Sequence, residues 1–490
     1  MSKRPVVLER PRLFDENQLG RIREAAVMIL AEHGLRVLHP RALEEARQAG
    51  LRVAGDRVGF DRATIQRFLA ESRAEGQARE AGGAPPSPSA EATGDKAADG
   101  RPTERPFRVF TCQYTTHVHD LDTDTIVPFT TERVIEATKL TDALSGEGVV
   151  GAAPGIPSDV PDLCQPLMQY KIGAQYSRHG RHPIDPRWAE TMPYAMDMAE
   201  ALGEPIRSLP VYVVSPLTIG AESLECVMQH RDRLHSVHTG NMPSVGGSAP
   251  IRIADAFALG VAEVAGSAMV LRAITKLPVD WGVGAMPFDL RGMAMSFGAP
   301  EHQLFRWTSE EVNAFFHGRP LGTVGSWSSL RTQAKLPGPQ AAAEKMAGAV
   351  VAALLGAADL SGGGTLSLDE VFSSEQLVFD CEVRDHVERL VVGIDGDCDP
   401  AAAVAEVGAG LKSGFMTLDS TLSTYRDVYW LPKLFERRSL AGWSGAGCPD
   451  LRDRAKARVR ELVAAHDYAL PDDASREVDR IYEEASKRLA

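Results

Sequence analysis

The chain has 490 residues, 44% of them hydrophobic, and a formal net charge of −13 at pH 7; that length carries one large domain with additions, or two to three smaller ones, around a sizeable core. The acidic balance, with no long Lys/Arg run, excludes a nucleic-acid backbone as the expected partner. Six scattered cysteines without a CxxC pair exclude a disulfide framework and a Cys-rich zinc site. The longest uncharged apolar run, Met346 to Ala358, is too short for a bilayer, and the charged N-terminus lacks a signal core. A soluble cytoplasmic protein is expected, with no membrane partner.

In chain order, residues 15–74 read as a small helical cap within an N-terminal unit, 1–74. Asp15 can cap a helix whose apolar positions Leu19, Ile22, Ala26, Ile29 and Leu30 share one face, and Gly34 can end it. A second helix starts at Pro40 and ends before Gly50. The run 51–60 reads as a hairpin turning at Gly55-Asp56, and Asp61 caps a third helix. Residues 75–106 contain no aromatic residue and no Leu, Ile, Val or Met. Such a stretch cannot bury enough surface to offset chain entropy and is expected to be a disordered insert.

From Phe107 strands and helices alternate. Strands are expected at 108–114, 148–153, 182–185, 209–215, 235–239, 279–285, 320–325 and 360–366. Helices are expected at 131–144, 162–176, 187–202, 220–234, 251–274, 309–316 and 338–358, with a last one within 371–393. Strands each followed by a helix, repeated eightfold over 107–395, are the arithmetic of a (β/α)8 barrel, an α/β fold. A doubly wound sheet stays open at this point, because periodicity does not show closure. There is no GxGxxG after a strand and no GxxxxGK[ST], so neither a dinucleotide nor a P-loop site is expected. Residues 396–490 read as a helical extension outside the barrel or at a contact between subunits, in keeping with a homo-oligomer.

In a barrel the chemistry sits at the C-terminal ends of the strands. Those ends offer Tyr114, His117 and His119 after the first strand, His238 and Asn241 at the fifth, Asp289 and Arg291 at the sixth, and Trp327 at the seventh. His117 and His119 alternate on a strand and can turn two imidazoles one way, the start of a divalent-metal site in a barrel hydrolase; a strand-end pair beside a solvated turn is the plainer reading. Asp289 and Arg291 can grip a small zwitterion or simply pair with each other. Trp281, Trp307, Trp327, Tyr114 and Phe288 are aromatic walls for a cation–π box, with core packing the ordinary alternative. Ser361 to Gly364 can bring backbone close to a ligand or form a flexible turn. No GxSxG elbow and no base beside Cys112 support a nucleophilic enzyme.

Several blocks carry a resemblance. They are EHGLRVLHPRALEEARQAG (32–50), HVHDLDTDTIVPFTTERVIEATKLTDAL (117–144), SPLTIGAESLE (215–225), MPSVGGSAPIRIADAFALGVAEVAG (242–266), GAMPFDLRGMAMSFGAPE (284–301), KLPGPQAAAEK (335–345) and YWLPKLFERRSLAGW (429–443). In this order they resemble the trimethylamine methyltransferase family, specifically its branch without pyrrolysine, which includes glycine betaine methyltransferases. The resemblance implies a (β/α)8 barrel with an N-terminal helical cap. It also implies methyl transfer from a methylated, quaternary amine to the Co(I) corrinoid of a separate corrinoid-binding protein. No cofactor is then held tightly by this chain and no metal is expected. Under that reading Tyr114, His238, Asn241, Asp289, Arg291 and Trp327 bind substrate, and no side chain is assigned as catalytic. Gly338 stands where the family has Asp, and Gly414, Leu418 and Ser420 stand in the places of its histidine-rich segment. The alternatives are a diverged barrel with another methyl acceptor, a binding protein for small methylated zwitterions, and the hydrolase built on His117 and His119.

Overall fold

The structure is a computed structural model, and it describes residues 12–81, 107–178, 188–321, 326–327, 329–357, 359–394 and 396–489. Helix Glu16–His33 begins at Asp15, whose carboxylate accepts the Gln18 N–H while the Gln18 side chain accepts the Asp15 N–H. It stops at Gly34, φ 62°, where a side chain would meet the Val58 carbonyl at 2.6 Å. Helix Pro40–Gln48 follows, then the hairpin Arg52–Ala54 and Arg57–Gly59, turning at Gly55-Asp56 as expected. The third helix, Arg62–Ala81, runs past the expected boundary at residue 74. Residues 75–81 pack although they carry no large apolar side chain. Gly76 brings the helix so close to the His317 carbonyl that an added Cβ would lie 1.9 Å from its oxygen. Glu75 pairs with Arg272 and Arg79 with Asp280. Backbone proximity and ion pairs anchor what apolar content alone would leave free; residues 82–106 lie outside the described residues.

The barrel strands fall into two parallel arcs. One joins Ser208–Val214, Ser236–Gly240 and Val279–Gly282, the fourth, fifth and sixth strands. The other joins Ser326–Trp327, Asp359–Gly363, Arg108–Thr111 and Val149–Val150, the seventh, eighth, first and second. Within each arc sequential strands are neighbours, and the eighth pairs with the first, which is the strand order of a (β/α)8 barrel. The expected third strand, 182–185, lies outside the described residues. So do 322–325 of the expected seventh strand, whose described part is Ser326–Trp327. The sixth helix is longer than the expected 309–316: it runs Pro300–His317, with Pro300 in its first turn.

Side-chain parity along each strand separates core from lumen. Leu209, Val211, Val237, Val279 and Trp281 join a buried cluster with helix Ile253–Thr275 and the N-terminal helices, and Val213 is buried on the same face of its strand. Val109, Val149 and Leu360 join a second cluster with helix Ser374–Val392. The intervening residues, among them Phe110, Tyr212, Val214, His238, Asp280 and Ser361, therefore face the barrel axis. Helix Ile253–Thr275 is long and apolar enough to cross a membrane by length and composition, yet 89% of its apolar window is buried in the protein. The C-terminal helices Leu451–Ala464 and Asp472–Leu489 lie on the outer helical layer. Between the barrel and these, helices Pro400–Ser413 and Asp419–Val428 bury only Gly410.

Candidate active site

The rim of the fourth to sixth strands is held by one carboxylate. Glu263, on helix Ile253–Thr275, accepts hydrogen bonds from the Ser215 hydroxyl (2.8 Å), the Leu217 N–H (2.9 Å) and Asn241 Nδ2 (2.6 Å). Burial pushes its carboxyl above the usual range, and the three donors hold it back. Asn241 also donates to the Gly260 carbonyl, and its Oδ1 accepts the Gly284 N–H at 3.2 Å. The amide of Asn241 thus ties the ends of the fifth and sixth strands to the helix behind them. It faces the helical layer, where the sequence placed it on the ligand side.

His238 stands at the middle of its strand, in register with Pro210 and Asp280. Its ring meets Tyr212 edge-on, with centroids 6.4 Å apart. Burial lowers its pKa, so the imidazole is neutral at pH 7. Tyr212 and Phe110 bring aromatic faces to the lumen; the sequence reading passed over both. The period-two alternation of Ser208–Val214, with Leu209, Val211 and Val213 as the apolar set, was the signal that could have found Tyr212.

Asp289 and Arg291 do share a loop, but it is the tip of a second hairpin, Met286–Asp289 with Ala294–Met295. That hairpin pairs with Ser244–Val245 beyond the barrel strands. Arg291 donates to both Asp289 oxygens (3.1 and 3.0 Å) with its side chain 92% exposed. The guanidinium holds the Asp289 carboxyl at about 2. This is the self-contained pairing that the sequence held open as the alternative to gripping a ligand. Trp327 is paired with Leu360, and its side chain lies outside the described residues. Trp281 is core: it is 5% exposed, packs at a tilt on the His317 ring and donates to the Ser72 hydroxyl. Trp307 packs on the second core cluster. Tyr114, two residues past Cys112, stays at the mouth and is 42% exposed.

His117 and His119 do not form the two-imidazole site. His117 is exposed and bonded to the Thr116 hydroxyl. His119 is buried between Asp124 (2.8 Å) and Ser373 (3.1 Å). His119, Asp124 and Glu375 have ligand atoms within 4.8 Å of one another, a spacing a metal would fit. Arg452 fills the place: it donates to both carboxylates, with Nε 2.6 Å from Glu375 Oε1. A fixed positive charge there opposes a cation.

The loop after the seventh strand carries what the sequence reading missed. Arg331 projects from it toward the mouth, with Nη1 3.3 Å from an Asp369 oxygen and 3.8 Å from Cys112 Sγ. Its guanidinium carbon is 5.5 Å from the Phe297 ring centre. Beneath it the glycine run is held firmly. Lys345 and Asp380, both fully buried, pair at 2.7 Å; Lys345 reaches the Gly362 carbonyl and Asp380 accepts the Gly364 N–H. Burial lowers the lysine and raises the aspartate, and their mutual attraction opposes both shifts. A cavity of about 470 Å³ lined by Phe14, Arg73, Phe315 and Arg319 lies at the opposite, N-terminal face and takes no part in this rim.

These features place the chain among (β/α)8 proteins whose working face is the C-terminal mouth. The chain belongs to the trimethylamine methyltransferase family, whose model matches residues 5–84 and 195–484. It is 29% identical over 297 residues to the trimethylamine methyltransferase of Methanosarcina barkeri, covering 60% of this chain and 59% of that one; the chain thus spans about three fifths of the length of such relatives. It is 24% identical to a glycine betaine methyltransferase of Desulfitobacterium hafniense over 473 residues, 94% of this chain and 93% of that one. It is 32% identical to a proline betaine:corrinoid methyltransferase of Eubacterium limosum over 207 residues, 40% and 39% of the two chains.

Proposed function

We propose that this chain moves a methyl group from a methylated, quaternary amine such as a betaine to a corrinoid carried by a partner protein. The observation that carries this reading is the alignment with glycine betaine methyltransferase over 94% of the chain. The mouth suits the chemistry. A reduced corrinoid supplies the nucleophile, so the chain needs none of its own. A quaternary ammonium departs as a neutral amine, so no general acid is required. The task left to the barrel is to hold the cation and aim one methyl outward. Phe110 and Tyr212 offer aromatic faces to the axis, and a neutral His238 does not repel positive charge. No cofactor is held tightly by the chain itself under this reading. Self-association belongs to the same proposal: Val404, Leu411, Met416 and Leu422 expose 70% or more of their surface on and between the two outlying helices. Light scattering coupled to gel filtration is expected to show more than one copy per particle.

The activity test is a mixture of the protein, glycine betaine and chemically reduced cobalamin, free or on a corrinoid protein, followed by the cobalt absorbance. Loss of the reduced cobalt band that requires both the protein and the betaine is expected. No change with either cobalamin source, for any quaternary amine tried, would remove the proposal.

A further inference from the structure

We propose that Arg331 is the carboxylate anchor of the site and makes the chain select methylated zwitterions over simple methylated cations. The inference rests on the function proposed above and adds the residue that sets the substrate class. Its first ground is position. Arg331 follows the seventh strand, one residue beyond Leu330, which is fully buried in the outer core and whose N–H donates to the Ser361 carbonyl of the eighth strand. Its side chain passes Gly362, where an added Cβ would meet Arg331 Cδ at 3.0 Å, and reaches Cys112 at the end of the first strand. The side chain therefore runs along the ends of three adjacent strands, from the seventh past the eighth to the first. Glycine at 362, φ 99°, leaves that path open.

The second ground is an incomplete set of partners. The Arg331 side chain is only 15% exposed. Its Nε is buried with no hydrogen-bond partner. Asp369 holds Nη1 at 3.3 Å, at one end of a planar fork of five donors. Leaving a buried charged donor unmatched is costly, and a small carboxylate taken at the fork offsets that cost.

The third ground is rigidity. Thr332 donates its hydroxyl, and Gln333 its N–H, to Glu344. Ser367 N–H donates to the Ala334 carbonyl and Leu368 N–H to the Thr332 carbonyl. Lys335 donates to Ser367, which donates to Glu370. A loop bolted this way holds a guanidinium in one place, which is what a selective anchor needs. Arg291 has no such support: its fork is closed by Asp289 and faces solvent.

The test compares glycine betaine with tetramethylammonium, which keeps the methylated cation and lacks the carboxylate. Calorimetric titration of the unaltered protein is expected to show the betaine bound at least about tenfold more tightly. Arg331→Gln is expected to erase that ratio by weakening the betaine while leaving tetramethylammonium unchanged. Arg331→Lys is expected to restore part of it, since Lys keeps the charge and not the fork. Equal binding of the two probes by the unaltered protein overturns the inference. So does a folded Arg331→Gln that keeps the ratio. If the unaltered protein binds neither probe, the proposed function fails and the inference fails with it. If the glutamine variant does not fold, the ratio in the unaltered protein and in Arg331→Lys decides the matter.

Discussion

Asn241 and Glu263 show how a polar residue beside a strand end is claimed by its neighbours. Both amide atoms of Asn241 are taken, Nδ2 by Glu263 and the Gly260 carbonyl behind the barrel and Oδ1 by the Gly284 N–H past the sixth strand, so the side chain fixes the rim and leaves the ligand side to others. The buried histidines show the same dominance of surroundings over residue type. Burial, with a small addition from Arg319, takes His317 down to about 4; burial with Arg306 and Arg331 takes His302 down to about 3. In the unfolded chain both titrate near 6.5. Between those values the folded chain binds fewer protons than the unfolded one. Their contribution is therefore fully present above about pH 6.5 and is lost as pH falls toward the folded values. Glu263 and Glu310, raised by burial, work in the opposite sense, losing stability as pH rises above 4.5. A substitution isolates the histidine part. In urea melts at pH 7 and pH 5, His317→Asn is expected to lose less stability between the two than the unaltered protein does. An unchanged difference would mean that His317 does not titrate as its burial implies.

At the scale of elements, the C-terminal helix Leu451–Ala464 is fastened to the barrel by Arg452. It joins Asp124, in the turn after the first strand, to Glu375, fully buried at the start of helix Ser374–Val392. Arg452→Ala leaves Glu375 buried without its cation, a loss of about 2 kcal/mol once the partial exposure of the arginine is discounted. Thermal melts are expected to show that loss. Added zinc is expected to restore part of the melting temperature in this variant and to do nothing for the unaltered protein, because only the variant frees His119, Asp124 and Glu375 together. A zinc effect on the unaltered protein would show that Arg452 does not fill that space.

At the scale of the molecule, helix Arg62–Ala81 joins the N-terminal unit to the barrel through its last turns. Two deletions separate packed chain from linker. Removing 82–106 with a short Gly/Ser bridge is expected to leave the melting temperature within a few degrees, since that stretch has no large apolar side chain. Removing 75–106 takes away the Glu75–Arg272 and Arg79–Asp280 pairs and the Gly76 approach, and is expected to lower it clearly further. Equal melting for the two deletions would show that the last turns of the helix add nothing.

The alternation of strands and helices, the caps at Asp15 and Asp61 and the hairpin at Gly55 were legible in the sequence. Each follows from local rules: period, capping chemistry and turn preference act over a few residues. The family was legible for the same reason, as short blocks in a fixed order. The site was less so. Phe110 and Tyr212 face the lumen because of strand parity in the barrel arcs, Asn241 turns away because Glu263 waits behind it, and Arg291 is spent on Asp289 two residues earlier. Arg331 draws its meaning from Gly362, Cys112, Asp369 and Phe297, which lie far apart along the chain. Residue types and local periods are written in the sequence itself. Which groups share a buried space, and which donors are left unmatched there, depends on contacts between distant segments, and only the tertiary structure decided that.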